Sequence, residues 1–196
     1  MIKRLFDIFF SVIGLFIFSP LFLILAIIIK FDSKGPVFYR QTRVGIGNSD
    51  FLLYKFRSMR INSDKDGLLT VGGKDPRITK SGYFIRKYKL DELPQLINVI
   101  KGEMSFVGPR PEVRKYVNLY NDAQMKVLSI RPGITDIASI EYRNENELLS
   151  NSENPEKYYV ESILPDKLRI NLEYINDNSV FKDFKIILKT IKAVFR

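Results

Sequence analysis

The chain has 196 residues and a formal net charge of +9, with 31 lysines and arginines against 22 acidic residues. This length accommodates one domain with its own core, and the charge predicts an anionic partner such as nucleic acid, an acidic membrane or a phosphorylated substrate. The chain contains no histidine and no cysteine. Disulfides, thiol nucleophiles and the usual zinc ligands are therefore excluded, and any catalysis must use carboxylates, Lys, Arg, Ser or Tyr.

The N-terminal segment has the length and polarity of a membrane anchor. No charged residue occurs from Ile8 to Ile29, and about 20 apolar residues suffice for a helix to cross a bilayer core. A cleaved signal peptide is disfavoured because the run is long and no small-residue cleavage site follows it. Pro20 cannot donate a hydrogen bond to the carbonyl of Phe16, so the helix is predicted to kink or break there. The Ser19 hydroxyl can bond that carbonyl instead.

Two arrangements of this anchor fit the residues. Each half, on either side of Ser19-Pro20, is about 16 Å of helix, too short to cross about 30 Å of hydrocarbon. Basic residues flank both ends of the segment, so the positive-inside bias favours neither orientation. A helix-break-helix that enters one leaflet and returns is one arrangement. A kinked helix that spans the membrane is the other, because proline is tolerated in such helices.

The next part of the chain is predicted to be extended. Residues 35–40 indicate a turn into an extended segment, and the aromatic run at residues 51–56 is typical of a short strand. Residues 61–75 are polar and rich in glycine, which predicts a loop.

Apolar residues at helical spacing predict an amphipathic helix between Leu93 and Ile100. Pro94 is expected in its first turn, where a missing N–H has no cost, and Gly102 is a plausible end. Asp91 is then at or next to the N-cap, and a plain capping role would explain its presence.

Two adjacent carboxylates in a basic stretch form the candidate chemical site. Asp91 and Glu92 lie between Arg86 and Arg110 in the sequence. Proline on both sides of Arg110 limits its backbone and would hold the guanidinium in a fixed place, suited to bidentate phosphate contact. The alternative is a loop with a solvated arginine.

The C-terminal third is predicted to be largely surface. Residues 141–161 are polar and rich in Asn and Glu. Residues 181–196 place apolar side chains on one helical face and lysines on the other, which is typical of a basic amphipathic helix. Its apolar face would lie on an anionic membrane or pack on its own domain. The apolar residues are Phe181, Phe184, Ile187, Leu188, Ile191 and Phe195.

Three classes of protein compete to explain these features. Nucleic-acid binding fits the charge but lacks a helix-turn-helix, zinc or stacking-aromatic signature and does not need an anchor. A non-catalytic membrane-anchored scaffold leaves the rigid arginine turns and paired acids unexplained. An enzyme that acts on a phosphorylated substrate at a membrane explains the charge, the anchor and the acid pair together.

The central motifs closely resemble the bacterial sugar transferase family, which comprises small monotopic phosphoglycosyl transferases. The resemblance rests on LDELPQLINV at residues 90–99 and KGEMSFVGPRP at residues 101–111. Further matches follow in order from the anchor to about Thr135. They lie within residues 35–45, 55–59, 75–79 and 131–135.

The resemblance implies transfer of a sugar-1-phosphate from a nucleotide-diphosphate sugar, expected to be a UDP-sugar, to polyprenol phosphate. In the family's proposed mechanism, the carboxylate that matches Asp91 attacks the β-phosphorus and forms a phosphosugar-aspartyl intermediate, which the lipid phosphate resolves. Glu92 would assist as a base or as a positioning group. Magnesium is the expected cofactor, held partly by Asp91. The implied phosphate-binding residues are Arg86, Arg110, Lys55 and Arg57.

The resemblance also implies a fold and a location. The expected fold is α/β and mostly helical, with a re-entrant membrane helix-break-helix over residues 1–33, broken at Ser19 and Pro20. Residues 34–196 would form a compact cytoplasmic catalytic domain with a small sheet and amphipathic interfacial helices. The protein would be monotopic in the bacterial inner membrane, with its catalytic domain on the cytoplasmic face. Its partners would be the nucleotide sugar, polyprenol phosphate and membrane lipid, and not nucleic acid.

One loop departs from the family's common pattern. Asp136 and Tyr142 stand where the family commonly has glycine, so the backbone freedom and polar groups of this loop must differ. We expect the change to concern donor recognition rather than the chemical step. The predicted donor-recognition loop therefore contains Arg131, Asp136, Tyr142 and Arg143.

Overall fold

The computed structural model describes residues 2–72 and 75–194 and confirms a mostly helical α/β fold with little sheet. The first helices are α1 (Ile2–Asp32), α2 (Lys80–Lys87), α3 (Gln95–Lys101), α4 (Arg114–Val117) and α5 (Ile137–Glu141). They are followed by α6 (Glu145–Ser150), α7 (Pro155–Tyr158), α8 (Leu164–Asn176) and α9 (Val180–Val194). The strands are β1 (Phe38–Val44), β2 (Asp50–Phe56), β3 (Ser105–Val107) and β4 (Gly133–Thr135).

The strands form two separate pairs. β1 and β2 are antiparallel, with Phe38 opposite Phe56, and they confirm the extended segments predicted there. β3 and β4 are parallel and very short, with Ser105 opposite Gly133. This second pair joins two proline-containing turns that the sequence predicts to be rigid, at residues 108–111 and 131–133, because the chain just after β3 lies beside the chain just before β4.

Helix α1 continues through Pro20 as one element rather than as the predicted helix-break-helix. The Ser19 hydroxyl donates a hydrogen bond of 2.8 Å to the carbonyl of Phe16, which is the carbonyl that Pro20 cannot bond. This predicted compensation is confirmed, and it satisfies the freed acceptor without interrupting the helix.

Both ends of α1 are fastened to the same domain. Near the N-terminal end, the Lys3 ammonium donates to the carbonyl of Val107 at 2.9 Å and pairs with Asp183 at 2.7 Å. At the C-terminal end, the Asp32 carboxylate accepts from the Ser81 hydroxyl at 2.7 Å and from its N–H at 2.9 Å. The two ends of the anchor therefore lie on one and the same domain.

The middle of α1 is exposed and apolar. Phe16 is 81% exposed, and in the described part of the chain α1 is the one helix long and apolar enough to cross a membrane. Leu25 and Ile29, by contrast, are buried against Phe56 and Ile85. The contacts of α1 with the domain thus leave apolar side chains such as Phe16 and Ile17 exposed.

The main hydrophobic core includes a region that the sequence predicted to be surface. Leu149 and Tyr159, within residues 141–161, are 0% and 2% exposed. They pack with Leu164 and Leu168 of α8. The surface prediction holds for the rest of this region, whose residues are exposed or partly exposed; Leu149 and Tyr159 depart from it because they pack into the core beside α8.

The sequence left two positions open for the apolar face of α9, on a membrane or on its own domain, and the structure shows this face only partly packed on the domain. Ile186 and Asp183 are buried against the domain, whereas Phe184 and Leu188 are about half exposed. The apolar surface is thus wide enough to pack on the domain with one side and to remain open on the other. The last two residues of the predicted helix, 195–196, lie outside the described residues.

The buried Arg57 caps the C-terminal end of α1. Its guanidinium donates to the carbonyls of Ile29 at 3.2 Å and Ser33 at 2.7 Å, and also to that of Lys34. Helix ends leave carbonyls without intrahelical partners, so Arg57 supplies donors to the chain where α1 ends.

We expect Arg57→Lys to lower the free energy of unfolding by about 2 kcal/mol, because hydrogen bonds from a charged group contribute roughly 1.5–3 kcal/mol and one ammonium cannot reproduce the planar fork. Thermal unfolding in detergent measures the effect. Arg60→Lys, at an exposed site, is the matched control and should leave the melting temperature unchanged. Equal melting temperatures for the two variants would contradict the capping role.

Candidate active site

The acid pair lies in a tight 3₁₀ turn between α2 and α3. This turn spans Leu90–Glu92 and follows Lys89, whose backbone is left-handed with φ 55°. The N-cap of α3 is Pro94, so the prediction of Asp91 at or next to the N-cap is wrong, although Gly102 ends the helix as predicted. The irregular turn buries both carboxylates: Asp91 is 5% and Glu92 9% exposed.

A polar cavity of about 250 Å³ opens onto these two carboxylates. Most of the residues that the sequence predicted for the site line it. These are Asp91, Glu92, Lys55, Arg86, Arg110, Tyr142 and Arg143. The cavity therefore combines the acid pair with several cations, which is suited to a phosphorylated ligand.

Glu92 is held by two cations. Its Oε2 accepts from Arg110 Nη1 at 3.3 Å, its Oε1 accepts from Arg110 Nη2, and Lys55 Nζ lies 3.8 Å from Oε1. Burial alone would raise the pKa of Glu92, but the charges of Arg110, Lys55 and Lys89 outweigh it and hold the pKa far below its usual value. Glu92 is therefore ionised at neutral pH and is a weak base.

Asp91 has the opposite electrostatic character. Its Oδ1 is buried and has no hydrogen-bond partner among the described residues. Burial, and then the negative charge of Glu92, raise the pKa of Asp91, and the positive charges of Lys55 and Arg86 oppose that rise only in part. A buried polar atom without a partner requires an explanation, and a reacting or ligand-binding oxygen provides one.

The oxygen ligands in the cavity fit a magnesium ion that binds one protein carboxylate and takes most of its other ligands from a bound phosphorylated substrate. Magnesium usually binds one or two carboxylates together with substrate phosphates. Asp91 offers a carboxylate oxygen without a partner, whereas the oxygens of Glu92 are taken by Arg110 and Lys55. No group of three or more acidic residues that could hold a metal occurs in residues 2–72 or 75–194. Asp91 and a bound diphosphate would therefore supply the ligands.

Lys55 reaches the site from β2. Burial is the main cause that lowers its pKa to about 8, while Glu92 works in the opposite direction. Lys55 is thus cationic at neutral pH and close to its titration range.

The loop that carries Arg110 is positioned by an extremely close approach of two backbones. A Cβ added to Gly133 would overlap the backbone nitrogen of Gly108, so this crossing requires glycine. The Arg110 N–H donates to Asp136 Oδ2 at 3.0 Å. The rigid turns therefore hold the Arg110 guanidinium in one place, against Glu92, whereas the phosphate contact that the flanking prolines led us to expect stays a prediction.

Three predicted site residues do not line this polar cavity. Arg57 caps α1 and lines a second cavity that also reaches Asp91. Arg131 is exposed and donates to the carbonyl of Gly102 at 2.8 Å. Asp136 is 1% exposed, and it caps α5 by accepting from the Ser139 N–H at 2.6 Å. Both oxygens of its carboxylate accept hydrogen bonds from backbone N–H groups. The aspartate that replaces the family's glycine therefore stabilises the loop rather than contacting a sugar donor.

The far wall of the cavity was not predicted from the sequence. Its residues come from distant parts of the chain, and their proximity depends on the tertiary fold. One signal was present: Lys167 lies on the apolar face of α8, with Leu164 and Leu168, where a lysine is unusual. The missed residues are Arg43, Glu112, Glu145, Asn146, Tyr159 and Lys167.

An apolar groove of about 760 Å³ reaches the same site from the other side. Phe6 and Phe10 of α1 and Phe184 and Ile187 of α9 form its walls. Its inner end shares a set of residues with the polar cavity. These are Lys89, Glu92, Arg110, Ser139 and Arg143. A polar and an apolar ligand can therefore approach one acid pair from two sides.

A buried acid pair between a cationic cavity and a groove beside an apolar helix is compatible with a membrane-anchored protein that handles phosphates. Comparison with known families agrees: the model of the bacterial sugar transferase family matches residues 1–196, and the chain belongs to that family.

Similar proteins carry related names. The chain is 40% identical, over 98% of its length, to the UDP-N-acetylgalactosamine-undecaprenyl-phosphate N-acetylgalactosaminephosphotransferase of Aeromonas hydrophila, and it spans 43% of that protein. It is 37% identical to exopolysaccharide production protein ExoY of Rhizobium meliloti (strain 1021), with 99% of the chain and 85% of ExoY covered. It is 36% identical to the UDP-glucose:undecaprenyl-phosphate glucose-1-phosphate transferase of Escherichia coli (strain K12), with 97% of the chain and 39% of that protein covered. The chain thus spans less than half of two of these relatives and most of the third.

We expect donor kcat/KM to fall as the pH rises through about 8, because free Lys55 loses its positive charge near its pKa of about 8, and kcat/KM reports ionisations of the free enzyme. Arginine stays charged throughout this range, so Lys55→Arg should remove the alkaline limb. The measurement is nucleoside monophosphate release from pH 6.5 to about 9.5. An unchanged limb in the variant would assign the titration to another group.

Proposed function

We propose that this protein is a phosphoglycosyl transferase that moves a sugar-1-phosphate from a nucleotide-diphosphate sugar, a UDP-sugar in particular, to polyprenol phosphate. The observation that carries the proposal is the meeting of the polar cavity and the apolar groove at Glu92 and Arg110, beside the unpartnered Asp91 Oδ1. A water-soluble donor and a lipid acceptor need such different approaches to one reacting group. The names of the relatives support the same reaction, and we propose that it stands at the start of bacterial glycoconjugate assembly.

Asp91 is the proposed nucleophile. One of its carboxylate oxygens attacks the β-phosphorus of the donor, the bond from that phosphorus to the bridging oxygen breaks, and nucleoside monophosphate leaves with the bridging oxygen. An oxygen of the lipid phosphate then attacks the phosphorus of the aspartyl-phosphosugar and releases the Asp91 carboxylate. The nucleophile divides the transfer into two steps, so both substrates use one site in turn.

The surrounding residues stabilise charge rather than move protons. Phosphoryl transfer depends mainly on positioning and on neutralisation of the equatorial oxygens. Arg86, Arg110 and Lys55 supply positive charge around Asp91, and magnesium, when bound, adds Lewis-acid stabilisation. Of the two roles expected for Glu92, positioning is favoured over general base, because its pKa is strongly lowered and it holds Arg110 in place.

The lipid acceptor is proposed to approach through the apolar groove. Its walls come from α1 and α9, the two helices with the most exposed apolar side chains, and its inner end carries Lys89 and Arg110. An isoprenoid chain fits the walls and a phosphate fits the cationic end. The open apolar side of α9 would lie in the membrane interface.

We further propose that α1, although one continuous helix, bends at Pro20 and re-enters the leaflet it came from, and that the protein is monotopic on the cytoplasmic face of the bacterial inner membrane. A helix that crossed the bilayer would separate its ends by about 30 Å of hydrocarbon. Here Lys3 and Asp32 both bind the catalytic domain, and Phe16 between them is exposed. These contacts favour the re-entrant arrangement over the spanning one.

We expect Asp91→Asn to reduce nucleoside monophosphate release by about 10³-fold or more, because the amide is not a nucleophile. Nanodisc-held protein is given magnesium, undecaprenyl phosphate and a panel of UDP-sugars. Asp122→Asn, at an exposed site, is the matched control and should retain full activity. Folded wild-type protein that releases no nucleotide with any donor would favour the alternative function, a non-catalytic scaffold of a glycan assembly complex.

The chain has no cysteine, which makes the topology directly testable. Single substitutions Ile2→Cys and Lys34→Cys, at exposed positions on either side of the anchor, should both react with a membrane-impermeant maleimide in inverted inner-membrane vesicles. Neither should react in intact spheroplasts. Opposite labelling of the two sites would establish a spanning helix and overturn the re-entrant proposal.

A further inference from the structure

The wall of the polar cavity that faces the acid pair has a composition that phosphate binding does not explain. We call it the distal wall and define it by Glu112, Glu145, Tyr159 and Lys167. Its side chains come from the segment after β3, from α6, from the turn before α8, and from α8 itself. The fold therefore brings four chain segments together to build it.

The charges of the distal wall are paired inside the protein. Lys167 Nζ lies 2.9 Å from Glu145 Oε2, and Lys167 is only 8% exposed. Tyr159 donates from its hydroxyl to Glu112 Oε1 at 2.6 Å, and Arg43 Nη1 lies 3.5 Å from Glu112 Oε2. Burying ion pairs costs desolvation free energy that hydrophobic residues of similar size would avoid. Their position on a cavity wall indicates that they are retained to contact a ligand.

The pairing also restricts the class of ligand. Each carboxylate of the distal wall has one cationic partner, Arg43 for Glu112 and Lys167 for Glu145, so the wall offers hydrogen-bond donors and acceptors with little net charge. A phosphate would bind more favourably at the other end of the cavity, beside the positive charges of Arg86 and Arg110. A neutral ligand rich in hydroxyl or amide groups fits the distal wall, because such groups both donate and accept.

The size of the cavity allows only part of a nucleotide sugar. Its volume of about 250 Å³ is below the roughly 300–1,000 Å³ of pockets that enclose whole ligands. A second cavity of about 380 Å³ adjoins Asp91 on the other side, and Phe38, Tyr39 and Met59 are among the residues that line it. These apolar and aromatic walls suit the flat face of a nucleobase, which leaves the polar cavity for the sugar.

We propose that the distal wall binds the sugar ring of the donor and selects among neutral sugars, with the Glu145–Lys167 pair hydrogen-bonding to its hydroxyl or acetamido groups. This inference rests on the proposed function. A site built to hydrogen-bond a substrate group discriminates strongly against analogues that lack the group or present it differently. The pair thus determines which donor is used, and Asp91 performs the transfer on whichever sugar is bound.

The test compares Glu145→Gln and Lys167→Met in full-length protein held in nanodiscs with magnesium. Each variant is assayed with UDP-glucose, UDP-galactose, their N-acetylamino counterparts and UDP-glucuronate, and the inhibition constant of UMP is measured in parallel. We expect the kcat/KM ratio between the best donor and its C4 epimer to change by about 10-fold or more. The inhibition constant of UMP should change less than about 2-fold, because UMP has no sugar at this wall.

The control is Glu156→Gln, which removes the charge of an exposed carboxylate that pairs with Lys115. It should leave both the donor ranking and UMP inhibition unchanged. Melting temperatures and UMP binding identify any variant that fails to fold, and Asn146→Ala, at an exposed position on the cavity lining, then provides a milder substitution beside the pair.

Two outcomes overturn the inference. If folded, active variants rank the donors by kcat/KM in the same order as the wild-type protein, the distal wall does not select the sugar. A parallel weakening of UMP and of every donor would assign the wall to the nucleotide instead. Failure of the proposed function is distinguishable, since the wild-type protein would then release no UMP from any donor. In that case, isothermal titration calorimetry would still measure the affinities of UDP-sugars and of UMP, and these affinities can be compared between the wild-type protein and the variants of the distal wall.

Discussion

The contact between Glu92 and Arg110 is the interaction on which the site depends. It lies where the polar cavity meets the apolar groove, and both residues line both spaces. It also joins the short turn before α3 to the rigid turn after β3, which Gly108 and Gly133 hold in close approach. Removing one partner would leave a buried charge uncompensated, and such losses are costly. This ion pair therefore sets the shape of the site as well as its charge.

Two neighbouring carboxylates acquire different chemistry from this single contact. Arg110 and Lys55 surround Glu92 and keep it ionised, which leaves Asp91 buried beside a negative charge with an unpartnered oxygen. When the surroundings shift the pKa values of two titratable groups in opposite directions, the two groups are suited to different chemical roles. Under the proposed function, a chain without histidine thus obtains one reactive carboxylate and one structural carboxylate from adjacent positions.

The anchor and the site are parts of one arrangement. Helix α1 supplies Phe6 and Phe10 to the groove, and its two ends are held by Asp183 and Ser81 of the domain. Under the proposed function, the membrane helix is therefore a wall of the acceptor site as well as an attachment. Under the same proposal, this coupling would hold the acid pair at the depth of a lipid phosphate.

The sequence by itself determined the local features: an apolar anchor with a compensated proline, the strand at residues 51–56, the end of α3 at Gly102, and the acid pair near Arg86 and Arg110. These depend on hydropathy, on turn chemistry and on a long motif. Only the tertiary structure decided that Arg57 and Asp136 serve the backbone, that Tyr159 is buried, and that Glu145 and Lys167 complete the cavity. The physical reason is that burial and ion pairing depend on which distant segments of the chain come into contact. The charge of a side chain does not reveal whether its partner will be a backbone group, another side chain or a ligand.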